Sequence, residues 1–510
     1  MAAADTAIPP IRARATWRTA GHWWVALLAA GLAVGLRLIA LVRGGGLFGL
    51  GNYDDGVYYS AGSALLHGVV PYRDFVLLHP PGIVLLLAPF GLFGLAGHDP
   101  WGLAAARLAW IALGGVNTVL VARILRRVGL VESAMGAVLY ATAYPAIYIE
   151  WTPLLEAPAQ TCVLLTILLL QTSKGAAPTL AQVAGAGALI GFSATVKIWG
   201  AAAVVAVIVW FLIGRQWRQA LRFTTAAAVT ITAVCGPFWL LSPGSMWRMV
   251  VLDQLNRAPS TTTVWTKAAG IIGLGWHRPA LTSPDGWLLA GLAVAAATVV
   301  ASAWVWEVRL ATVLTLILSL VLMVSPSWFL HYPGLVTGPL AVCVAAGGGL
   351  LLRRAIAWRP AAAVVTAIVL GAVALAAIIP STQVRLGRRF PAAALSGRVA
   401  QTTCVTSDDP TALVQLNVLT TNLDHGCRFV ADLGGYSYEL ATQRGHWTPR
   451  RLDAAWQDLY LSYVRSGTQA LPFRYAETGA LSPETRTTLR SWPPAAQAGR
   501  YILRTVEVGR

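Results

Sequence analysis

Charge is what this sequence has least of. Asp, Glu, Lys and Arg make up 12% of 510 residues, against 56% hydrophobic. With a mean hydropathy of +0.62, most of the chain cannot form the surface of a water-soluble domain, and lipid is its expected solvent. Cysteine is also scarce, at five residues. Cys162, Cys235 and Cys343 lie inside apolar runs with no metal-ligand spacing and read as small packing residues. No cleavable signal is evident, because the first apolar run, 23–42, is a full span long and lacks a small-residue cleavage site behind a short apolar stretch. A glycine-rich nucleotide-binding motif after a strand is missing, and so is an internal repeat, which is mild evidence against a transporter built from inverted repeats. Lysine is sparse beside arginine while alanine and glycine abound, a composition that hints at a high-GC bacterial gene.

What the chain does have is apolar runs. After 23–42, runs long enough to cross a bilayer fall near 103–121, 131–148, 154–170, 180–195, 199–213, 223–241, 287–305, 310–326, 333–352 and 361–379. The stretch 83–95 is short and broken by Pro89 and several glycines, so it reads as a re-entrant or interfacial helix. With 83–95 not crossing, Arg12, Arg14, Arg18, Arg126, Arg127, Lys174, the run 215–222, Arg309 and the cluster 353–359 share one side. The positive-inside rule makes that side cytoplasmic. The net charge of +17 therefore reads as topology and lipid contact rather than as a nucleic-acid surface. Eleven spans follow, with a cytoplasmic tail (1–22) and a transmembrane part (23–380) that carries a first outer loop (44–102). An extracytoplasmic C-terminal domain (381–510) completes the chain. In an oxidising compartment, Cys404 and Cys427 are expected to pair. Around them, TTCVTSDDPTALVQLN and GCRFVADLGGYSYEL read as short strands and turns of a small α+β lid or acceptor-binding module. Asp408, Asp409 and Asp432 read as ordinary turn carboxylates outside any active site.

Chemistry concentrates in the first outer loop, GNYDDGVYYSAGSALLHGVVPYRDFVLLHPPG (51–82). Asp54 and Asp55 could simply cap a helix that starts near Val57. Beside them, however, stand Tyr58, Tyr59, Tyr72, Arg73, Asp74 and His79, which add hydroxyls, a cation, a further carboxylate and an imidazole. The order of an acidic pair, a segment ending in HG, a PYRDF turn and then HPPG resembles the GT-C glycosyltransferases, especially the protein O-mannosyltransferase and lipid A aminoarabinose transferase branch. Two more stretches resemble that branch. In GALIGFSATVKIWG (187–200), Lys197 sits between two spans, either as a snorkelling interfacial lysine or as a cation for a lipid phosphate. In SWFLHYPGLVTGPL (327–340), His331 and Tyr332 open a helix at the same surface, where an aromatic belt accounts for Tyr332 better than for His331. Asp55 stands where this branch often has Glu.

The resemblance implies an all-α polytopic membrane protein of the GT-C type, with a small C-terminal α+β domain. It also implies a polyprenyl-phosphate-linked sugar as donor and a glycan, lipoglycan or protein hydroxyl as acceptor, joined on the extracytoplasmic face with inversion. Asp54 or Asp55 would be the base. Lys197, Arg107, His79, His331, Tyr332 and Arg257 are candidates for the donor phosphate, each of the cations alternatively an interfacial anchor. Tyr58, Tyr72, Arg73, Asp74, Glu150 and Glu156 are candidates for acceptor or supporting roles, the two glutamates alternatively solvated loop carboxylates. A divalent cation is compatible with paired aspartates, but two adjacent carboxylates do not define a metal site. A transporter or flippase for lipid-linked saccharides is the alternative function, and an envelope scaffold a third.

Overall fold

The computed structural model describes residues 12–172, 176–257, 260–275, 281–399 and 403–506. Lys174, one of the topology-setting cations, lies outside the described residues, as do the chain's first eleven and last four positions. Every apolar run singled out in the sequence is helical. Among the described residues, five helices are long and apolar enough to cross a membrane: Gly21–Arg43, Asp99–Leu125, Trp217–Leu241, Trp306–Val324 and Gly334–Trp358. A sixth span results if Leu130–Thr142 and Tyr144–Glu150, bent by 59°, count as one. That bend falls where Pro145 opens the second helix, because proline supplies no N–H to continue the ladder of the first. Shorter apolar helices cover Gly82–Leu95, Glu156–Leu170, Leu180–Val196, Gly200–Ile213 and Gly286–Ser302, and a 22-residue helix covers Pro360–Ser381. Large apolar side chains stand bare on these helices, Leu240 at 84% and Trp358 at 76% exposure, which lipid accommodates and water does not. The chain is thus a multi-pass membrane protein.

Between the first two spans, the helices Tyr53–Leu66 and Gly82–Leu95 pack side by side. Asn52 caps the first, its side chain accepting from the Asp54 amide, and Pro81 of HPPG begins the second. The C-terminal part carries a four-stranded sheet of order β1-β2-β4-β3, with β1 Val405–Ser407, β2 Gln469–Leu471, β3 Pro494–Ala498 and β4 Tyr501–Thr505. β1 and β2 are parallel, and the other pairs antiparallel. Cys404 and Cys427 are joined by a disulfide with Cα atoms 5.6 Å apart. Of the segments around these cysteines, Val405–Ser407 is a strand as the sequence suggested, but helices take up much of the rest: Pro410–Gln415, Leu419–Asp424 and Gly435–Arg444. The first begins because Asp409 accepts from the Thr411 amide at 3.0 Å while Pro410 occupies the first turn, a start signal easily taken for a turn.

The loop helices and the C-terminal part share one core. Leu50, Val57, Leu77 and Leu87 pack in the same cluster as Val405, Leu413, Leu419 and Leu503. Polar ties run alongside: Thr420 donates through its Oγ1 and its amide to Asp99 at 2.7 and 3.0 Å, and Leu50 and Arg388 exchange two backbone hydrogen bonds of 2.9 Å. Gly56 faces Thr411 so closely that a Cβ would collide with its backbone, which is why the helix carries no side chain there.

Candidate active site

The three motif stretches converge. Gly82 of HPPG abuts the Thr195 carbonyl two residues before Lys197, and the Lys197 ammonium lies 4.6 Å from the centre of the Tyr332 ring. At their meeting point, a cavity of about 370 Å³ opens between the loop helices and the C-terminal part. Asp54, Tyr58, His79, Arg257, His331 and Tyr332 line one side, with Tyr53 and Tyr148. Asp432, Tyr438, Arg450, Arg474 and Tyr475 line the other.

Asp54 and Asp55, adjacent on one helix, point to different fates. Asp55 is wholly buried and outside the cavity. It accepts from Arg107 Nη2 at 2.9 Å, from Thr411 Oγ1 at 3.2 Å, and from Thr152. Asp54 faces the cavity, and among the described residues no donor lies within hydrogen-bond reach of its carboxylate. Burial, and then the negative charge of Asp432, push its pKa up to about 6, against the opposing pull of Arg474. A carboxylate so placed can accept a proton near neutral pH.

Arg257 is 9% exposed and donates Nη1 to the Tyr332 hydroxyl at 3.2 Å. Its guanidinium lies 5.5 Å from the Phe329 ring centre and 5.0 Å from that of Tyr438. Its Nε is buried with no acceptor among the described residues, and so is Nδ1 of His79. Burial, followed by the charges of Arg257 and Lys197, holds His79 well below the ordinary imidazole pKa and therefore neutral. The cavity thus presents a raised carboxylate, a buried cation and a neutral imidazole with hydrogen-bonding capacity unspent.

Several other expected site residues lie elsewhere. Arg107 does not reach the cavity: besides Asp55 it donates to the carbonyls of Leu47 and Gly49, at 2.5 and 3.0 Å, so it braces the loop instead of waiting for a phosphate. Glu150 is not a loop carboxylate. It is wholly buried against Arg37 (Nε to Oε2, 2.9 Å), Asn117 (2.6 Å) and Tyr140 (2.7 Å), a closed network within the helices. Glu156 is paired with Lys197, with His331 Nε2 at 3.7 Å, and this buried trio sits directly behind Tyr332. Tyr72, at a positive φ of 69°, donates its hydroxyl to the His79 carbonyl at 2.5 Å. Arg73 and Asp74 are exposed and close their own turn, Asp74 Oδ2 accepting from the Val70 amide at 2.7 Å. None of these three reaches the cavity.

Asp432, set aside in the sequence as a turn carboxylate, is the clearest omission. It accepts from the Tyr53 hydroxyl at 3.1 Å and the Gly435 amide at 2.8 Å, and a Cβ on Gly435 would crowd it. An aspartate before paired glycines in VADLGGY was the available signal. Tyr438, Arg450, Arg474 and Tyr475 carried none, since nothing local separates them from other surface residues. Asp408 is structural, accepting the amides of Phe473, Arg474 and Tyr475 at 2.9–3.0 Å. Among the described residues no three His, Cys, Asp or Glu side chains are grouped to hold a metal ion.

The arrangement of a helical membrane part whose first long loop is sealed against a C-terminal α+β region is similar in fold to solved GT-C glycosyltransferases. The crystal structure of ArnT, the lipid A aminoarabinose transferase of Cupriavidus metallidurans, superposes with a TM-score of 0.60 at 15% identity, covering 96% of this chain and 98% of that one in the apo state. Its complex with undecaprenyl phosphate gives the same TM-score over 95% and 98%. The oligosaccharyltransferase AglB from Archaeoglobus fulgidus, bound to an inhibitory peptide and a dolichol-phosphate, matches with a TM-score of 0.57 at 12% identity over 89% of this chain and 70% of that one. The sequence matches no protein-family profile and no curated relative.

Proposed function

We propose that this protein is a membrane glycosyltransferase that moves a sugar from a polyprenyl-phosphate donor to an acceptor hydroxyl of the cell envelope, on the extracytoplasmic face and with inversion. The observation that carries this reading is the pairing, in one cavity, of the unpartnered Asp54 carboxylate with the buried, half-satisfied guanidinium of Arg257. Asp54 takes the proton of the acceptor hydroxyl as its oxygen attacks the anomeric carbon. The bond from that carbon to the phosphate oxygen breaks, and the lipid phosphate leaves with the electron pair toward Arg257. His79 donates to the sugar or phosphate from its neutral ring, and His331 and Tyr332 position the leaving group, with the Lys197–Glu156 pair behind them.

A route for the lipid supports the donor class. Phe329 and Leu330 line both the reactive cavity and a neighbouring groove, and that groove shares Pro145 and Gly273 with an apolar cleft between the membrane helices. A phosphate at Arg257 would then have adjoining pockets, the last of them apolar, along which an isoprenoid chain could lie. The neighbours that bind undecaprenyl phosphate and dolichol-phosphate share this fold.

Eleven spans with the N-terminus inside complete the reading, with residues 381–510 as an extracytoplasmic domain. The helices Asp99–Leu125 and Gly334–Trp358 each have one end at the cavity side, through Asp99–Thr420 and Tyr332, and arginines at the other. The transporter reading draws on the Arg37–Glu150 pair inside the helices and on the 59° bend beside it. That network is fully bonded, and none of Arg37, Asn117, Tyr140 or Glu150 lines the cavity, which favours a structural role.

The test is transfer of radiolabelled sugar from polyprenyl-phosphate donors to an envelope extract by the protein in lipid. Loss of transfer in a folded Asp54→Asn variant supports the enzyme and its base. Movement of lipid-linked sugar across the bilayer, with no transfer from any donor, would replace this reading with a flippase.

A further inference from the structure

A second cavity, also of about 370 Å³, opens in the C-terminal part between β4, the segment after β2 and the helix Pro483–Ser491. Its floor is apolar, formed by Phe473, Leu481, Leu489 and Ile502. Its polar wall is arginine: Arg486, Arg490, Arg500 and Arg504, with Glu477 the carboxylate in its lining. Glu477 is already shared between Arg388 at 2.7 Å and Arg500 at 3.2 Å. Arg504 is held by the Trp492 carbonyl at 2.6 Å. Among the described residues the side chains of Arg486 and Arg490 have no acceptor, and Nε of Arg486 is buried without one.

Such crowding works against the fold. The guanidiniums repel one another, and burial together with the charge of Arg490 lowers the pKa of Arg504. Arg490 and Arg500 stand at the exposed rim of the cleft, with Arg486 and Arg504 half-buried within it. Arginine forks that share one cleft match a planar or tetrahedral oxyanion bidentately, and an apolar floor beneath them suits the C–H face of a sugar ring. The cleft also shares a wall with the reactive cavity. Within the turn of helix Arg474–Glu477 and its preceding residue, Arg474 and Tyr475 face Asp54's cavity while Phe473, Ala476 and Glu477 face the arginines.

We propose that this arginine cleft is a second binding site, for a saccharide that carries a phosphate or carboxylate group, one side-chain layer from the reactive cavity. The oxyanion part stands on the cleft alone, and the saccharide part rests on the proposed glycosyltransferase function, for which the cleft would hold an anionic stretch of the acceptor glycan.

Calorimetric titration of the full-length protein in phosphatidylcholine nanodiscs tests it, with mannose 6-phosphate, mannose and inorganic phosphate as probes. Mannose 6-phosphate is expected to bind more tightly than either of the others and more weakly as salt rises. Its affinity should fall about tenfold or more in an Arg486→Gln, Arg490→Gln variant. An Arg486→Lys, Arg490→Lys variant, which keeps the charge but loses the forks, should fall between, and it guards against misfolding of the neutral pair. Undiminished binding in the glutamine variant would overturn the site. Equal binding of inorganic phosphate, or loss of binding when phosphatidylglycerol replaces part of the phosphatidylcholine, would overturn the saccharide in favour of a free anion or a lipid headgroup. Asp54→Asn should leave this binding unchanged. Wild-type protein that transfers no sugar yet binds mannose 6-phosphate through Arg486 would sink the transferase reading and leave the oxyanion site standing.

Discussion

The two walls of the reactive cavity are built on different terms. On the wall from the membrane part and its loops, polar groups have been left short of partners: the Asp54 carboxylate, Nδ1 of His79 and Nε of Arg257. On the C-terminal wall they are tied down, mostly by their own scaffold. Asp432 is held by Tyr53 and Gly435. Arg450 donates to Ser437 at 2.7 Å and to the Gly434 carbonyl at 3.2 Å, and the Arg474 amide is fixed on Asp408. Buried polar groups are ordinarily satisfied, so the shortfall leaves hydrogen-bonding capacity directed at the cavity, and the satisfied wall sets the shape and field around it.

The sharpest way to break this contrast is Asp54→Asn. With Asp54 as the proposed base, its loss should lower transfer by roughly 10²–10⁴-fold at unchanged expression. The same change should raise thermal stability near neutral pH. A folded-state pKa of about 6, raised above the ordinary carboxylate value, means that Asp54 destabilises the fold increasingly as pH climbs from about 4 through 6. An Asp54→Asn variant that is inactive yet no more stable than wild type would show that the carboxylate is not desolvated as described. Its neighbour should behave in the opposite sense: Asp55→Asn strips the partner from fully buried Arg107 and should cost about 3–5 kcal/mol, read as a large drop in melting temperature or folded yield in detergent. Arg257→Lys keeps the charge but loses the fork, and should weaken donor binding about tenfold with a smaller change in kcat. Asp432→Asn, on the satisfied wall, should leave most of the maximal rate and move the acid limb of the pH–rate profile to lower pH, because after burial Asp432 is the largest influence that raises Asp54, ahead of Glu156. A limb that stays in place would leave burial and the charge of Glu156 as the causes. Smallest of all, Arg73→Ala opens an exposed ion pair in the PYRDF turn and should leave the melting temperature nearly unchanged and activity unaltered.

The helices were legible in the sequence because lipid enforces long apolar runs, and much of the membrane-side wall because its residues fall in NYDDG through HPPG and WFLHYPG, with Lys197 of ATVKIWG behind Tyr332; Arg257 and Tyr148 stand outside these stretches. What those motifs could not reveal was the direction of each side chain. Asp54 and Asp55 are equivalent on paper, and one residue of helix rotation sends the first to the cavity and the second to Arg107. Arg107, Glu150, Tyr72, Arg73 and Asp74 were plausible by type and position, but their partners lie across the fold, at Asp55 and Arg37, or within their own turn, and proximity in sequence does not show this. The C-terminal wall was illegible for a related reason. Arg450, Arg474 and Tyr475 acquire meaning only from Asp54, several hundred residues earlier. The helix at Pro410–Gln415 was missed because Asp-Pro begins both turns and helices, and tertiary packing against Gly56 decides between them.

The shared core of the loop helices and the C-terminal part also fixes an order of events during synthesis. Asp54 is made early, but the residues that enclose it and set its proton affinity, Asp432 and Arg474, emerge only after the last apolar helix has been threaded. A chain interrupted anywhere before that point carries Asp54 without the chamber around it, so any chemistry proposed for that carboxylate waits on completion of the C-terminal part.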